Sequence, residues 1–407
     1  MSARTPAPAS ARWTPPTLPA LVEPGPQLTP EQARRYSRHA ILPGIGIEGQ
    51  RRLLAAKVLI IGAGGLGSPA LLYLSAAGVG TIGVIDDDVV EESNLQRQVV
   101  HGVGDVGRPK VESARDAIGR LDPAIEVITH QERLTVQNAL DIVSGYDLVL
   151  DGADNFATRY LVADACEITG TPCVWGSILR FDGQVSVFWP GRGPVYRDVF
   201  PDPPDPALVP SCAEAGVFGV LCAAIGAAMG TEAVKLITGV GRTLVGRLLI
   251  YDALDATWHD LAIRPDPARE PVRELVAVGD YCAVPGSAPT DSGPERPLGS
   301  ELDVAAFDEL LAARARGENS VDLVDVREQV EWDLGHIDGA RLVPKDEILS
   351  GAVELPRDRP LLLHCAAGAR SGQVLDHLLA HGYIDVRHLL GGYNAWTAEH
   401  ASDPTGG

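Results

Sequence analysis

The sequence predicts an α/β protein of two domains: a larger one built on a mostly parallel sheet with helices on both faces, and a smaller α/β domain after it. Three observations carry this. Strand-like and helix-like patterns alternate from about residue 31 to 263. Residues 264–300, rich in Pro, Gly, Ser and charge, then read as a linker lying on the first domain's surface. A second, shorter βα alternation occupies residues 301–400. The chain's 407 residues exceed one ordinary domain and suffice for two cores.

Taken in order, residues 1–30 are rich in Pro, Ala and Thr and predict a disordered tail without a charged-then-apolar leader pattern. Apolar runs predict strands at 57–61, 81–86, 126–130, 147–151, 173–176, 184–189 and 248–251. The uncharged stretch 215–231 holds four glycines and falls short of the ~20 apolar residues of a membrane span. It predicts a buried or subunit-contact helix. In the second domain, strands are expected at 320–325, 361–364 and 386–389.

A net charge of −20 argues against nucleic acid or an anionic membrane as partner and favours partners with a basic patch. It leaves room for a local cationic pocket. The six cysteines, at 166, 173, 212, 222, 282 and 365, contain no C-x-x-C pair. That excludes a cysteine zinc site of that form, speaks against a disulfide framework and fits a reducing cytoplasm.

The strand KVLII runs into GAGGLG, so Gly62, Gly64 and Gly67 satisfy G-x-G-x-x-G. Ser68 and Pro69 then start a helix that Gly78 stops. Asp86 ends the next strand at the distance from which a carboxylate accepts ribose hydroxyls. This much suits NAD, FAD or ATP. The run Ser93-Asn94-Leu95-Gln96-Arg97-Gln98, Lys110 after a GRPK turn, Asp154-Asn155 after YDLVLD, and Arg38 in RYSRH decide for ATP. Hydride transfer gives these cations no use. A carboxylate attacking a triphosphate of about −4 charge needs its repulsion relieved by fixed cations and a metal. Asp154 is the expected Mg²⁺ ligand, since Mg²⁺ takes one or two carboxylates plus phosphate oxygens.

RYSRH, GAGGLG, DDDVVEESNLQRQ, GRPKVESA and DGADN follow in the order and spacing of the MoeB/ThiF family, and residues 31–263 resemble it. These are ubiquitin-activating-enzyme-like adenylyltransferases acting on small sulfur-carrier proteins. The resemblance implies a Rossmann-like domain that binds ATP through Gly65, Asp86, Asn94, Arg97, Lys110, Asp154 and Asn155, with Mg²⁺ on Asp154. It implies a homodimer in which Arg38 reaches the partner subunit's phosphates. Its acceptor is the C-terminal Gly-Gly carboxylate of a ubiquitin-fold carrier, and it places a cysteine, here Cys212, beside the adenylate to link covalently or resolve a persulfide. Two C-x-x-C pairs that often bind zinc in this family are missing: Val195 and Asp198 replace one pair, Arg269 and Val272 the other. No structural zinc is expected. Prolines at 201, 203, 204 and 206 are expected to stiffen the loop instead.

Cys365 follows the apolar run Leu361–Leu363 and precedes a helical pattern, so its sulfur faces successive backbone N–H groups at a helix start. Arg370 comes five residues later; phosphatase loops of this shape carry one residue more, and the shorter ring suits sulfur. With Asp325-Val326-Arg327-Glu328, GHIDGA and GGYNAW, residues 301–396 resemble the rhodanese family. That implies a persulfide on Cys365, its charge held by the N–H groups of residues 366–370 and by the Arg370 side chain. Asp325 and Arg327 are expected as a buried pair. His364 is expected to face away from Cys365, because adjacent strand residues point to opposite faces.

Together these readings predict adenylation of a sulfur carrier and sulfur transfer from Cys365, fed by thiosulfate or a desulfurase persulfide. The alternatives are a nicotinamide-dependent oxidoreductase fused to a sulfurtransferase, and a non-catalytic scaffold that docks a ubiquitin-fold protein.

Overall fold

The computed structural model describes residues 18–203, 216–276, 296–297 and 299–400. Cys212, Cys282, Pro204 and Pro206 lie outside them. The chain divides into two compact units, Met1–Gly286 and Ser287–Gly407.

In the first unit, β1 (Lys57–Ile61), β2 (Thr81–Ile85), β3 (Glu126–His130), β4 (Leu148–Asp151), β5 (Cys173–Leu179), β6 (Asp182–Phe188), β7 (Arg247–Asp252) and β8 (Thr257–Ala262) form one sheet. Its order is β3-β2-β1-β4-β5-β6-β7-β8. Pairing is parallel from β3 to β5 and antiparallel from β5 onward. The central strands read as continuous apolar runs because helices cover both faces. Val58, Ile60, Val84 and Leu150 pack with Leu71 and Leu74 of the Gly67–Ala77 helix and with Ile225 and Met229 of the Gly219–Thr238 helix. Leu59, Ile61, Ile85 and Val149 pack on the other face with Tyr160 and Val162 of the Phe156–Thr169 helix. The Gly219–Thr238 helix is long and apolar enough to cross a membrane, yet more than half of it is buried inside the protein. Strand β8 was not expected: all six of its residues are exposed, so it carries no apolar signature.

Sheet order matters for function. The chain leaves β1 in one direction along the sheet and returns to β4 on the other side, so the loops after β1 and β4 diverge and open a crevice between them.

Part of the expected tail is ordered, which corrects that expectation. Leu21 N–H donates to Leu236 O at 2.9 Å, Gly25 N–H donates to Arg51 O at 3.1 Å, and Val22 is buried. Thr29 and Gln32 then form a capping box on the Pro30–Arg35 helix. Apolar Leu21 and Val22 cover the end of the long helix, a gain that a composition rich in Pro hides.

The positions where the family's zinc thiols would fall hold an ion cluster. Arg269 donates from Nε to Asp198 Oδ1 at 2.9 Å and from a terminal nitrogen to Glu167 Oε1 at 2.8 Å. Glu167 also accepts from Val272 N–H, and Asp198 from Val195 N–H. All four positions are thus tied together, and the early part of the expected linker is pinned to the first unit. At the far end, Arg296 pairs with Glu301 and with Asp376.

The second unit is a five-stranded parallel sheet of β9 (Glu301–Leu302), β10 (Asp322–Asp325), β11 (Arg341–Leu342), β12 (Leu361–His364) and β13 (Val386–Leu389), ordered β11-β10-β12-β13-β9. Cys365 directly follows the central strand.

Arg269→Ala leaves the nearly buried carboxylates of Glu167 and Asp198 without their cation. The expected loss is roughly 3 kcal/mol of stability, read as a lower urea midpoint for the first unit. An unchanged midpoint would show that the cluster does not hold this segment.

Candidate active sites

Two cavities line the crevice, one of about 700 Å³ and one of about 150 Å³. Both are bordered by Gly62, Asp86, Asp88, Ala153 and Asp154, so they form one continuous cleft. The smaller adds Gly64, Gly65, Arg97, Gln98, Lys110 and Arg159; the larger adds Arg133, Leu134, Val136 and Asn155. One end is therefore cationic, and the other has an apolar wall.

The glycine loop is built by close approach. A Cβ on Gly67 would sit 1.9 Å from Gly62 O, so only glycine lets the helix start against the strand end. His101 supports the loop from below, its Nε2 at 3.0 Å from Ala63 O and its Nδ1 at 2.8 Å from Ser113 Oγ. Asp86 accepts from Ala63 N–H at 2.8 Å and from Asp88 N–H at 2.9 Å. Burial raises its pKa, with Lys110 opposing.

Lys110 opens the Lys110–Leu121 helix, an end where the backbone dipole disfavours a cation. It is almost fully buried and paired to Asp88 at 2.7 Å. Arg97 is held by Ser93 O at 3.0 Å. Asp154 is exposed on the cleft wall and takes only a long hydrogen bond, 3.5 Å, from Asn155 Nδ2; a solvent-open carboxylate beside the cationic end of the cleft fits Mg²⁺. Asn155 also caps the Phe156–Thr169 helix, accepting from Thr158 N–H at 2.9 Å.

The other expected residues stand back from the cleft. Ser93, Asn94, Leu95 and Gln96 line neither cavity; they form the short turn that carries Arg97, with Asn94 Oδ1 accepting from Glu91 N–H. Arg38 is exposed on the Ser37–Ala40 helix and lines neither cavity.

Several cleft residues were missed. Arg159 donates to Ala153 O at 2.9 Å and clamps the turn after β4. It lies four residues past Asn155 on the next helix, a spacing that puts it back at the helix start. Asp151, whose pKa burial raises to about 6, accepts from Ala153 N–H in the same turn. Asp88, Arg133, Leu134 and Val136 were also overlooked, while Gln98, the last residue of the run read for ATP, lines the smaller cavity; Arg133, Leu134 and Val136 follow β3, whose carboxyl end faces the crevice as those of β1 and β4 do.

The second site surrounds Cys365, which is buried. Its sulfur accepts from Gly368 N–H at 3.1 Å and lies 3.6 Å from Ser371 Oγ. Gly368 has φ +92° and starts the Ala369–Ala380 helix. The GGYNAW segment forms the floor: Tyr393 N–H donates to Cys365 O at 2.7 Å and Asn394 N–H to Ala366 O at 2.9 Å. A Cβ on Gly392 would meet Cys365 O at 2.4 Å, which explains the glycine.

Arg370 departs from expectation. Its guanidinium forms two hydrogen bonds to Glu331, at 2.7 and 2.6 Å, and braces the loop to the Gln329–Asp333 helix. Two of its N–H donors are thus engaged by a carboxylate. Burial would raise the Glu331 carboxyl; Arg370 and the Glu328 N–H outweigh it and hold it below the usual range. Asp325 and Arg327 form the anticipated buried pair, and Arg327 also donates to Gly335 O at 2.8 Å. His364 faces away from Cys365, with Phe307 and Tyr393 around its ring and Asp325 Oδ2 at 3.8 Å.

Fold, cleft and thiol loop define a nucleotide-binding enzyme unit joined to a sulfur-handling unit, and comparison with known proteins agrees. Residues 36–272 match the ThiF family and residues 307–399 the rhodanese-like domain; the chain belongs to the ThiF family and carries a C-terminal rhodanese-like domain. It is 51% identical, over 95% of this chain and 98% of the other, to a probable adenylyltransferase/sulfurtransferase MoeZ of Mycobacterium tuberculosis. It is 50% identical to a sulfur carrier protein adenylyltransferase of Thermus thermophilus, covering 63% of this chain and 98% of the other. The crystal structure of E. coli MccB with MccA-N7isoASN shares the fold, with a TM-score of 0.53, 20% identity, and coverage of 60% of this chain and 75% of that one.

Burial lowers His364 to about 4 from its usual 6.5. The folded state resists its protonation, so the unfolded state binds more protons between these values. Stability present above pH 6.5 is therefore lost progressively as pH falls towards 4. At pH 5 the second unit should be about 2 kcal/mol less stable than at pH 7 on this account. His364→Leu should shrink that difference by the same amount, measured by urea titration with peptide-resolved hydrogen exchange. An unaltered difference would refute the assignment.

Proposed function

We propose that the protein adenylates the C-terminal Gly-Gly carboxylate of a ubiquitin-like sulfur-carrier protein and then converts it to a thiocarboxylate with sulfur carried on Cys365. The observation that supports this most directly is the pairing, in one chain, of a cleft lined by Gly65, Arg97, Lys110 and Asp154 with a thiol held in a loop of backbone N–H groups. The named relatives point the same way, since both descriptions include adenylyltransferase and one includes sulfurtransferase.

ATP lies with its base against Leu134 and Val136, its ribose on Asp86 and its phosphates towards the glycine loop, Arg97 and Lys110. Mg²⁺, held by Asp154, would supply further charge neutralisation for the triphosphate. A carrier carboxylate oxygen attacks the α-phosphorus, the α–β anhydride bond breaks, and pyrophosphate leaves with the electron pair. Lys110 and Arg97 stabilise the charge that builds on the departing phosphates; Lys110 exchanges Asp88 for phosphate as it does so. The acyl-adenylate is a good electrophile because AMP replaces oxide as leaving group.

The Cys365 persulfide attacks the acyl carbon and expels AMP, leaving the carrier joined to Cys365 by an acyl disulfide. A second thiol, for which the sequence puts forward Cys212, attacks the Cys365 sulfur and releases the thiocarboxylate. Joining both units in one chain makes the encounter intramolecular, with an effective concentration on the order of mM. Arg38 reaches a partner subunit's phosphates in a homodimer, which accounts for its absence from this chain's own cleft. The persulfide is loaded by thiosulfate or a desulfurase persulfide, in a reducing cytoplasm.

Lys110→Ala should lower carrier-dependent ATP–pyrophosphate exchange by ~10²-fold or more, as expected when a charge-stabilising donor is lost. Exchange at the wild-type rate would remove Lys110 from the reaction. Cys365→Ala should still release pyrophosphate with carrier and ATP yet form no thiocarboxylate, read by the mass of the carrier. Normal thiocarboxylate formation by that variant, with free sulfide excluded, would sink the sulfur-transfer half of the proposal.

A further inference from the structure

Behind Cys365 lies a chain of polar groups that the reaction above does not use. Ser371 Oγ sits 3.6 Å from the Cys365 sulfur, 3.0 Å from Gly368 O and 3.1 Å from His388 Nδ1. His388 Nε2 faces Glu301 Oε1 at 3.8 Å and makes no hydrogen bond among the described residues. Both Ser371 and His388 are buried.

Strand register brings the histidine here. In the parallel pairing of β12 with β13, His388 lies beside Leu363. Paired residues face the same side of a sheet, and Cys365 comes two residues after Leu363, on that same side. Leu361, Leu363, Cys365 and Val386 accordingly share one core cluster. His364, adjacent in sequence, falls on the other.

We propose that His388, acting through Ser371, takes the proton of the Cys365 thiol and so readies the sulfur to accept sulfane sulfur. This rests on the sulfur-transfer reading of Cys365 and adds the group that prepares it. The Cys365 proton passes to Ser371 Oγ as the Ser371 hydroxyl proton passes to His388 Nδ1. The result is a thiolate, an intact hydroxyl donating to it, and an imidazolium whose Nδ1–H donates to Ser371 Oγ. No electrons change hands. When the sulfur comes from a persulfide donor, the proton returns to the thiolate that departs.

The charged groups around His388 suit this task. Glu301 on β9 and Asp376 on the Ala369–Ala380 helix favour the imidazolium; Arg296, tied to both by ion pairs, opposes it. Burial, with Arg296 behind it, lowers the pKa of His388 and so favours the neutral ring at rest; Glu301 and Asp376 are the groups that offset that burial when the ring takes up a proton. A hydroxyl has one proton to give. Gly368 O, the bare Nδ1 and the sulfur all compete for it; once Nδ1 is protonated the ring becomes a donor, and the hydroxyl proton is left to the thiolate, whose full charge favours it over the neutral Gly368 carbonyl.

The test is alkylation of Cys365 by iodoacetamide in the full chain, resolved by peptide mass spectrometry and followed against pH. It needs neither carrier nor ATP, so it fails independently of the thiocarboxylate assay. Ser371→Ala and His388→Asn should each react about tenfold more slowly than wild type at pH 7 and at the same rate at pH 10, where hydroxide replaces the ring as base. Ser371→Thr should restore the rate at pH 7. His388→Asn keeps a donor at the Nδ1 position but cannot take up a proton, so a wild-type rate for this variant at pH 7 would overturn the proposal. So would equal slowing at both pH values, which would mark a distorted loop.

Discussion

Both sites depend on one constraint of parallel sheets: every strand delivers its chain at the same edge. Side-by-side strands running one way must each turn there, and the turn leads into a helix whose first N–H groups lack partners. Gly62 after β1 and Cys365 after β12 occupy equivalent places in this scheme. In each, glycine permits the tight approach: Gly67 beneath the first loop, Gly392 beneath the second. An anion at either turn meets the start of a helix, where backbone N–H groups lack intrahelical partners.

The cationic pocket shows why overall charge is a weak guide. A chain of net charge −20 still assembles Arg97, Lys110 and Arg159 around one cleft, because the cleft is defined by strand ends rather than by the surface at large. The acidic residues among them have distinct uses. Asp86 orders the glycine loop through Ala63, Asp88 holds Lys110, and Asp154 remains open to solvent. Position, more than composition, divides the work.

Much of this was legible in the sequence. The central strands announce themselves because both faces are buried, and the glycine loop, Asp86, Lys110, Asp154 and Cys365 lie in local motifs. What stayed hidden is long-range. Arg269 reads as a linker charge until folding sets it between Asp198 and Glu167, on elements far apart in sequence. Likewise Arg370 reads as an anion ligand until the Gln329–Asp333 helix supplies Glu331. Strand β8 has no apolar face to betray it, and the ordered part of the expected tail is masked by its prolines. Ser93 to Gln96 show the opposite: the motif reads as one binding unit, whereas of the run Arg97 and Gln98 line the cleft and the others form the turn that carries them.

In both sites the cation expected to bind an anion already has a carboxylate partner, and the size of the guest's charge decides the outcome. Lys110 with Asp88 and Arg370 with Glu331 are held in place before any substrate arrives, which removes the entropy of ordering a long side chain at the moment of binding. The cost is that the guest must displace the carboxylate. A polyphosphate brings several charges to one cleft and can do so, particularly since Asp88 is more than half exposed and has water to return to. A sulfur anion brings a single, diffuse charge, a weaker competitor for a part-buried, doubly hydrogen-bonded pair. The sulfur site therefore has to stabilise its anion by other means. Among the described residues, Gly368 N–H and the Ser371 hydroxyl face the sulfur at the start of the helix, while Glu331 holds the arginine of the same loop.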